Sequence, residues 1–200
     1  MSLSDPIRLS RRCFLAAGLA LPLPALVACA QETQTSLPPT PGCGEDEHPT
    51  PAQTEGPYFK PDSPASSNFL GDVSGGTKLL FAGSVLTTSC QPVSHALLDV
   101  WHADADGNYD NVGYRLRGHF FTDVHGRFSL ATIEPGLYPG RTRHFHVKVQ
   151  APHGPVLTTQ LYFPEEPSNA RDGIFRPELL MAVRDVPDGK EASFDFVVQT

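Results

Sequence analysis

His144 and His146 stand two residues apart in "RHFHVKV" (143–149), interleaved with the apolar Phe145, Val147 and Val149. In an extended chain successive side chains point to opposite faces. Phe145, Val147 and Val149 then share a core face, while His144, His146 and Lys148 share the other. Residues two apart on one face stand roughly 7 Å apart at Cα, close enough for both imidazoles to reach one metal ion. The solvated face of a half-buried sheet accounts for such a pair equally well, and the chain has eight histidines. Further ligands are needed before a metal follows.

"DADGNYD" (104–110) offers carboxylates: Asp104, Asp106, Asn108 and Asp110 copy the odd positions of a calcium loop. The register fails, because such a loop takes Gly at its sixth position and Glu at its twelfth, where this chain has Tyr109 and Arg115. A turn of Asp, Gly and Asn needs no ion. The second source is phenolic. Tyr109 follows that turn, and Tyr138 lies in "PGLYPG", six residues before His144. Tyrosine ligates as the phenolate, so a tyrosine ligand calls for a strongly Lewis-acidic ion such as Fe(III). Two imidazoles and two phenolates would make a ferric site. Each tyrosine taken alone also reads as a loop aromatic covering the edge of a sheet.

The elements that must position these residues are strands. Segments 78–87, 95–103, 126–133, 143–150, 156–163 and 192–199 are rich in β-branched and aromatic residues and bounded by Gly, Pro, Asp or Asn. At most "RPELLMAV" (176–183) makes a short turn of helix, with Pro177 suited to its first position. Short strands with turns between them imply an all-β fold, an antiparallel β-sandwich whose long loops carry the site. The composition agrees: 20 Pro and 17 Gly in 200 residues suit one compact, turn-rich domain.

Residues 1–28 read as a targeting signal. Ser10-Arg11-Arg12-Cys13-Phe14-Leu15 is a twin-arginine signature, and the apolar run after it is too short and proline-broken to span a membrane stably. "LVAC" then resembles the lipobox of bacterial lipoproteins, which makes Cys29 the acylated mature N-terminus and the membrane a partner through that anchor. An ordinary signal-peptidase site is the alternative. The expected location is the cell envelope. Residues 29–50 form a polar, Pro-rich tether, and 51–200 the domain. Removing residues 1–28 takes away Arg8, Arg11, Arg12 and Asp5, so the formal net charge of -7 becomes -9, which argues against nucleic acid as a partner. In an exported chain the remaining cysteines, Cys43 and Cys90, read as a disulfide tying tether to domain, with two free thiols as the alternative.

Five segments in order, "TPAQTEGPYF" (50–59), "DVWHADADGNY" (99–109), "RGHFFTDVHGRFSLATIEPGLY" (117–138), "RTRHFHVKV" (141–149) and "LTTQLYF" (157–163), resemble the catalytic core of the intradiol ring-cleavage dioxygenases. The resemblance implies one Fe(III) per chain held by Tyr109, Tyr138, His144 and His146, with hydroxide as fifth ligand. Tyr138 and His144 would be axial. It further implies that a catechol-type substrate binds bidentately, displacing Tyr138, which takes up one of its protons, and that O2 opens the ring between the hydroxyl-bearing carbons to a cis,cis-muconate-type diacid. Arg141 and Gln160 match residues beside the reacting ring. Gly56, Pro57 and Tyr58 match the pocket wall. Only Pro139 to Arg143 separate Tyr138 from His144, shorter than the family's usual insert, so a more open pocket is expected. Residues 1–49 read as signal and tether rather than as a helical dimerisation segment. Two other classes remain: an exported β-sandwich that binds iron or catecholates without turnover, and a purely structural β-sandwich, which would leave two Tyr and two His in the family's order unexplained.

Overall fold

The structure, a computed structural model, describes residues 48–200. The signal, Cys29 and Cys43 lie outside the described residues. Strands β1 (Lys78–Thr87), β2 (Leu97–Trp101), β3 (Arg117–Phe121), β4 (Arg127–Ile133), β5 (His144–Gln150), β6 (Val156–Tyr162), β7 (Ala182–Val186), β8 (Gly189–Ser193) and β9 (Phe196–Val198) build two sheets. One runs β4-β1-β8-β7, with β9 alongside the end of β1; the other runs β3-β2-β5-β6. Every strand pairing is antiparallel except β1 with β8 and β1 with β9, which are parallel. β8 and β9 are delivered to β1 after the chain has crossed from the second sheet and turned back through the β7–β8 hairpin.

The core lies between the sheets. Phe145, Val147 and Val149 are fully buried and share one cluster with Phe81 and Val85 of β1, Leu130 of β4 and Phe196 of β9. Phe145 meets Phe81 at 5.7 Å between ring centroids. Each such large side chain contributes about 1.5–3 kcal/mol by leaving water. Alternation in β5 therefore falls as the sequence implies, with both histidines on the outer face of the second sheet. They are nonetheless only 5% and 2% exposed, so this outer face is covered.

Three elements depart from expectation. β3 was not foreseen, because its outward Arg117 is also buried and the apolar alternation is lost. The strand expected over 192–199 is split: Asp195 leaves the ladder and its carboxylate accepts the Ser84 N–H at 2.7 Å. Residues 176–183 contain only a 3-10 turn, Pro177–Leu179, with proline in its first position. The Met181 N–H then donates to the Tyr162 carbonyl at 3.0 Å, drawing the chain out extended into β7.

Candidate active site

Strand register builds the floor. Arg117 pairs with Trp101, Trp101 with His146, and His146 with Gln160. Directly opposed residues point to the same face, so these four make one row across the outer face of the second sheet. His144 and Tyr162 are paired two residues along.

Residues 53–60 cross this row as a strap. The Gln53 N–H donates to the Thr158 carbonyl at 2.9 Å, and Gln160 Nε2 donates to the Thr54 carbonyl at 2.8 Å. Farther along, Arg117 donates to the Tyr58 carbonyl, and Phe59 packs on Trp101 with ring centroids 5.1 Å apart. Gly56 sits against His146. Its φ of +71° lies in the left-handed region, and an added Cβ would stand 3.0 Å from His146 Cε1. The strap buries Trp101 and His146 although both face away from the core.

Two loops deliver the tyrosines. Asp104 organises the first: its carboxylate accepts the N–H groups of Asp106 and Asn108 at 3.0 and 2.9 Å, so the calcium-like loop satisfies its own acid. The second docks against it through the Gly136 N–H, which donates to the Asp104 carbonyl at 2.7 Å. A Cβ on Gly107 would lie 2.2 Å from the Leu137 oxygen, and one on Gly136 2.4 Å from the Ala105 oxygen. Glycine at both positions is what lets the loops touch. Tyr109 and Tyr138 thereby meet edge to face at 5.8 Å.

Three donor atoms converge. Tyr109 Oη lies 3.1 Å from His144 Nε2, which lies 3.1 Å from His146 Nε2. His144 donates its Nδ1 proton to the Thr142 carbonyl at 2.6 Å, leaving the Nε2 lone pair for this cluster. Two ligands about 2.1 Å from one ion and at right angles to it stand about 3.0 Å apart, so the spacing fits edges of a coordination polyhedron. Burial holds His144 neutral, its pKa lowered to about 4, and holds His146 well below its ordinary value. Neutral imidazole is the ligating form. The Nδ1 of His146 has no hydrogen-bond partner among the described residues; the ring is held instead by Gly56 and by Trp101, stacked on it at 5.0 Å and 5°. Burial also raises the Tyr109 pKa, against the attraction of the Arg141 and Arg117 cations. In the absence of a metal Tyr109 thus keeps its proton. Among the described residues no three His, Cys, Asp or Glu side chains converge on a point, so the donor set here is imidazole plus phenol, and phenolate oxygen suits a ferric ion.

Around the cluster, Tyr58 Oη is 2.6 Å from Tyr138 Oη, and the Tyr58 ring stacks on Tyr109 at 4.5 Å. Arg141 donates to Gln160 Oε1 at 2.6 Å and to Asp172 Oδ2 at 2.8 Å. The same Asp172 oxygen accepts the Thr142 N–H at 2.9 Å. One carboxylate thus fixes both the cation and the residue whose carbonyl orients His144. Of the residues singled out in the sequence, Gly56, Tyr58, Tyr109, Tyr138, Arg141, His144, His146 and Gln160 come together, while Pro57 is exposed. Cys90 is disulfide-bonded, with its partner outside the described residues. Trp101, Arg117, Thr142 and Asp172 were missed. Only cross-strand register could have revealed the first two, and Asp172-Gly173 reads locally as an ordinary turn.

Residues 54–200 match the family model described as Dioxygenase, which defines the class. The chain is 33% identical over 119 residues to the protocatechuate 3,4-dioxygenase beta chain of Burkholderia cepacia, across 50% of this chain and 51% of that one. It is 28% identical over 187 residues to a chlorocatechol 1,2-dioxygenase of Rhodococcus opacus, across 75% and 72%. Among solved structures it is similar to the dioxygenase domain of a dioxygenase carbohydrate-binding protein fusion from Streptomyces sp. SirexAA-E, at 54% identity and a TM-score of 0.75, covering 76% of this chain and 99% of that domain. The chain belongs to the intradiol ring-cleavage dioxygenase family. It spans about half the length of the Burkholderia subunit.

Proposed function

We propose that the chain is an intradiol dioxygenase that binds one Fe(III) through Tyr109, Tyr138, His144 and His146 and cleaves a catechol-type ring with O2 between its hydroxyl-bearing carbons to a muconate-type diacid. The observation that carries this reading is that His144 Nε2 lies 3.1 Å from both Tyr109 Oη and His146 Nε2. Bound Fe(III) would supply the Lewis acidity that lets a catechol lose both hydroxyl protons and delocalises its electrons toward O2. The chain's own groups do the rest. Tyr138 is the phenol with a second hydroxyl already at 2.6 Å, that of Tyr58. It can therefore swing toward Tyr58, take up a substrate proton and keep a hydrogen bond throughout. Arg141, braced by Asp172 and Gln160, carries fixed positive charge at the site, where it stabilises negative charge developing on the opening ring. Trp101, Phe59 and the strap keep water from His146. Relatives named for catechol, chlorocatechol, hydroxyquinol and protocatechuate support a catechol-type substrate.

Purified protein loaded with Fe(III) tests the reading. It should bind one iron per chain, absorb visible light through phenolate-to-Fe(III) charge transfer, shift that band with catechol and consume O2. Protein that stays colourless after ferric loading contradicts the ligand set; coloured protein that binds catechol without O2 uptake identifies a binding protein instead.

The same proposal includes export and acylation at Cys29, supported by the twin-arginine and "LVAC" segments. Labelled fatty acid incorporated by the wild type and lost in Cys29→Ser supports it; equal labelling of both contradicts it.

A further inference from the structure

Arg117 ends the row on the sheet and is only 3% exposed, yet it forms no ion pair among the described residues. One guanidinium nitrogen donates to the Tyr58 carbonyl and another to the Asp110 carbonyl at 3.1 Å, while Nε has no hydrogen-bond partner among the described residues. The Asp110 and Asp99 carboxylates act on it only through space, and a buried cation that no carboxylate contacts is costly, so an apolar side chain of similar volume would serve sheet stability better. Arginine at this place therefore answers a need above the sheet.

The two carbonyls locate that need. Tyr58 lies on the strap, and Asp110 follows Tyr109 on its loop. Lys60 of the strap also reaches the loop, donating to the Val112 and Gly113 carbonyls at 3.0 and 2.6 Å. Among the described residues, however, it is Arg117 that bonds the backbone at Tyr58 and next to Tyr109, whose rings are stacked at 4.5 Å and 16°. A planar fork sets the separation of the two carbonyls it holds by its own geometry, which an ammonium on a flexible stem does not impose.

We propose that Arg117 is a positioning residue that fastens the strap to the Tyr109 loop, so that the stacked Tyr58 and Tyr109 rings sit at a fixed height over the His146 row with a permanent positive charge beneath them. It acts through Tyr58 and Tyr109 and touches neither substrate nor iron. The inference rests on the proposed ferric site only for its charge component; the fastening stands on the hydrogen bonds alone.

The test uses Arg117→Lys and Arg117→Met in the full chain. Hydrogen exchange of the iron-free protein, followed by mass spectrometry, should show amides of residues 54–60 and 109–115 exchanging about tenfold faster in Arg117→Met while β1 and β4 keep wild-type protection. Arg117→Lys, with one donor head, should fall between. After ferric loading, Arg117→Lys should leave the phenolate band nearer its wild-type position than Arg117→Met does, because lysine keeps the charge. Unchanged exchange in both segments overturns the fastening role, and so does a rise spread evenly over both sheets, which marks a merely structural arginine. Identical bands in wild type and both variants overturn the charge component. Should Arg117→Met fail to fold, Arg117→Lys alone decides both points. A colourless wild type counts against the ferric reading, and exchange still judges Arg117.

Discussion

Alanine at position 56 would place a methyl group where the strap crosses His146, and the geometry sets two costs. At φ +71° a Cβ meets the backbone strain of the left-handed region, about 1–2 kcal/mol. That Cβ would also stand 3.0 Å from His146 Cε1, where carbon contacts prefer about 3.5–4.0 Å. Strap or imidazole must yield by roughly half an ångström. The imidazole has little freedom, since Trp101 is stacked on it and its backbone is locked between β2 and β6. We expect Gly56→Ala to lose about 2 kcal/mol of stability, a fall of roughly 4–8 °C in Tm. A displacement of an ångström at a reacting centre costs about 100-fold in rate, so half that should lower kcat/KM by about tenfold and speed iron loss to a chelator. Urea unfolding, chelator competition and O2 uptake measure the three effects. Gly71→Ala is the control, because a Cβ there meets nothing within 4 Å. Stability within about 0.5 kcal/mol of wild type, the scatter expected of an ordinary surface change, together with unchanged iron retention, would refute the crossing geometry. Equal losses in Gly56→Ala and Gly71→Ala would refute it too.

Tyr138→Phe removes the hydroxyl paired with Tyr58 and should shift or weaken the visible band and slow catechol binding; stopped-flow absorbance showing an unchanged band and rate contradicts its role. Asp172→Ala strands Arg141 and the Thr142 N–H, and should cost about 3 kcal/mol by urea unfolding, the low end for a buried pair because Arg141 keeps 20% of its side chain exposed. In that variant kcat/KM should fall more than substrate-independent iron binding. pH supplies a further check on iron-free protein. Burial lowers the His102 pKa from 6.5 to about 4, so the unfolded chain binds a proton that the folded one refuses, and stability drops as pH falls from 6.5 toward 4. The loss from His102 alone is on the order of 3 kcal/mol, with His144 and His146 adding to it; urea curves that coincide at pH 7 and 4.5 would contradict this. Asp172 loses its contribution at lower pH still. Burial pushes its pKa up, but hydrogen bonds from Thr142, Ile174 and Arg141 bring it below the ordinary value, so its stabilisation persists until pH falls below about 3.9.

Local periodicity carried the histidine face of β5, because alternation is a property of one strand, and the order of the five segments carried the family. The turn chemistry of Asp104 was legible for the same reason: its acceptors and donors lie within five residues. What stayed hidden depends on contacts distant in sequence. Arg117 looks like a surface cation until register aligns it with Trp101, and Gly56 looks like a loop glycine until the strap crosses His146. Buried polar residues on an outer face also erase the apolar pattern, which is why β3 escaped notice. The pairing of the Tyr109 and Tyr138 loops through Gly107 and Gly136 is likewise a close approach between segments about thirty residues apart.

The central claim is intradiol cleavage at a tyrosine and histidine ferric site. Mass spectrometry of the product formed from catechol under 18O2 by ferric-loaded protein tests it most directly. The account predicts a ring-opened diacid carrying two labelled oxygens, one on each new carboxyl group, and no such product from Tyr109→Phe. A ring-opened aldehyde, a singly labelled hydroxylated ring or no product at all from iron-replete wild type would contradict it.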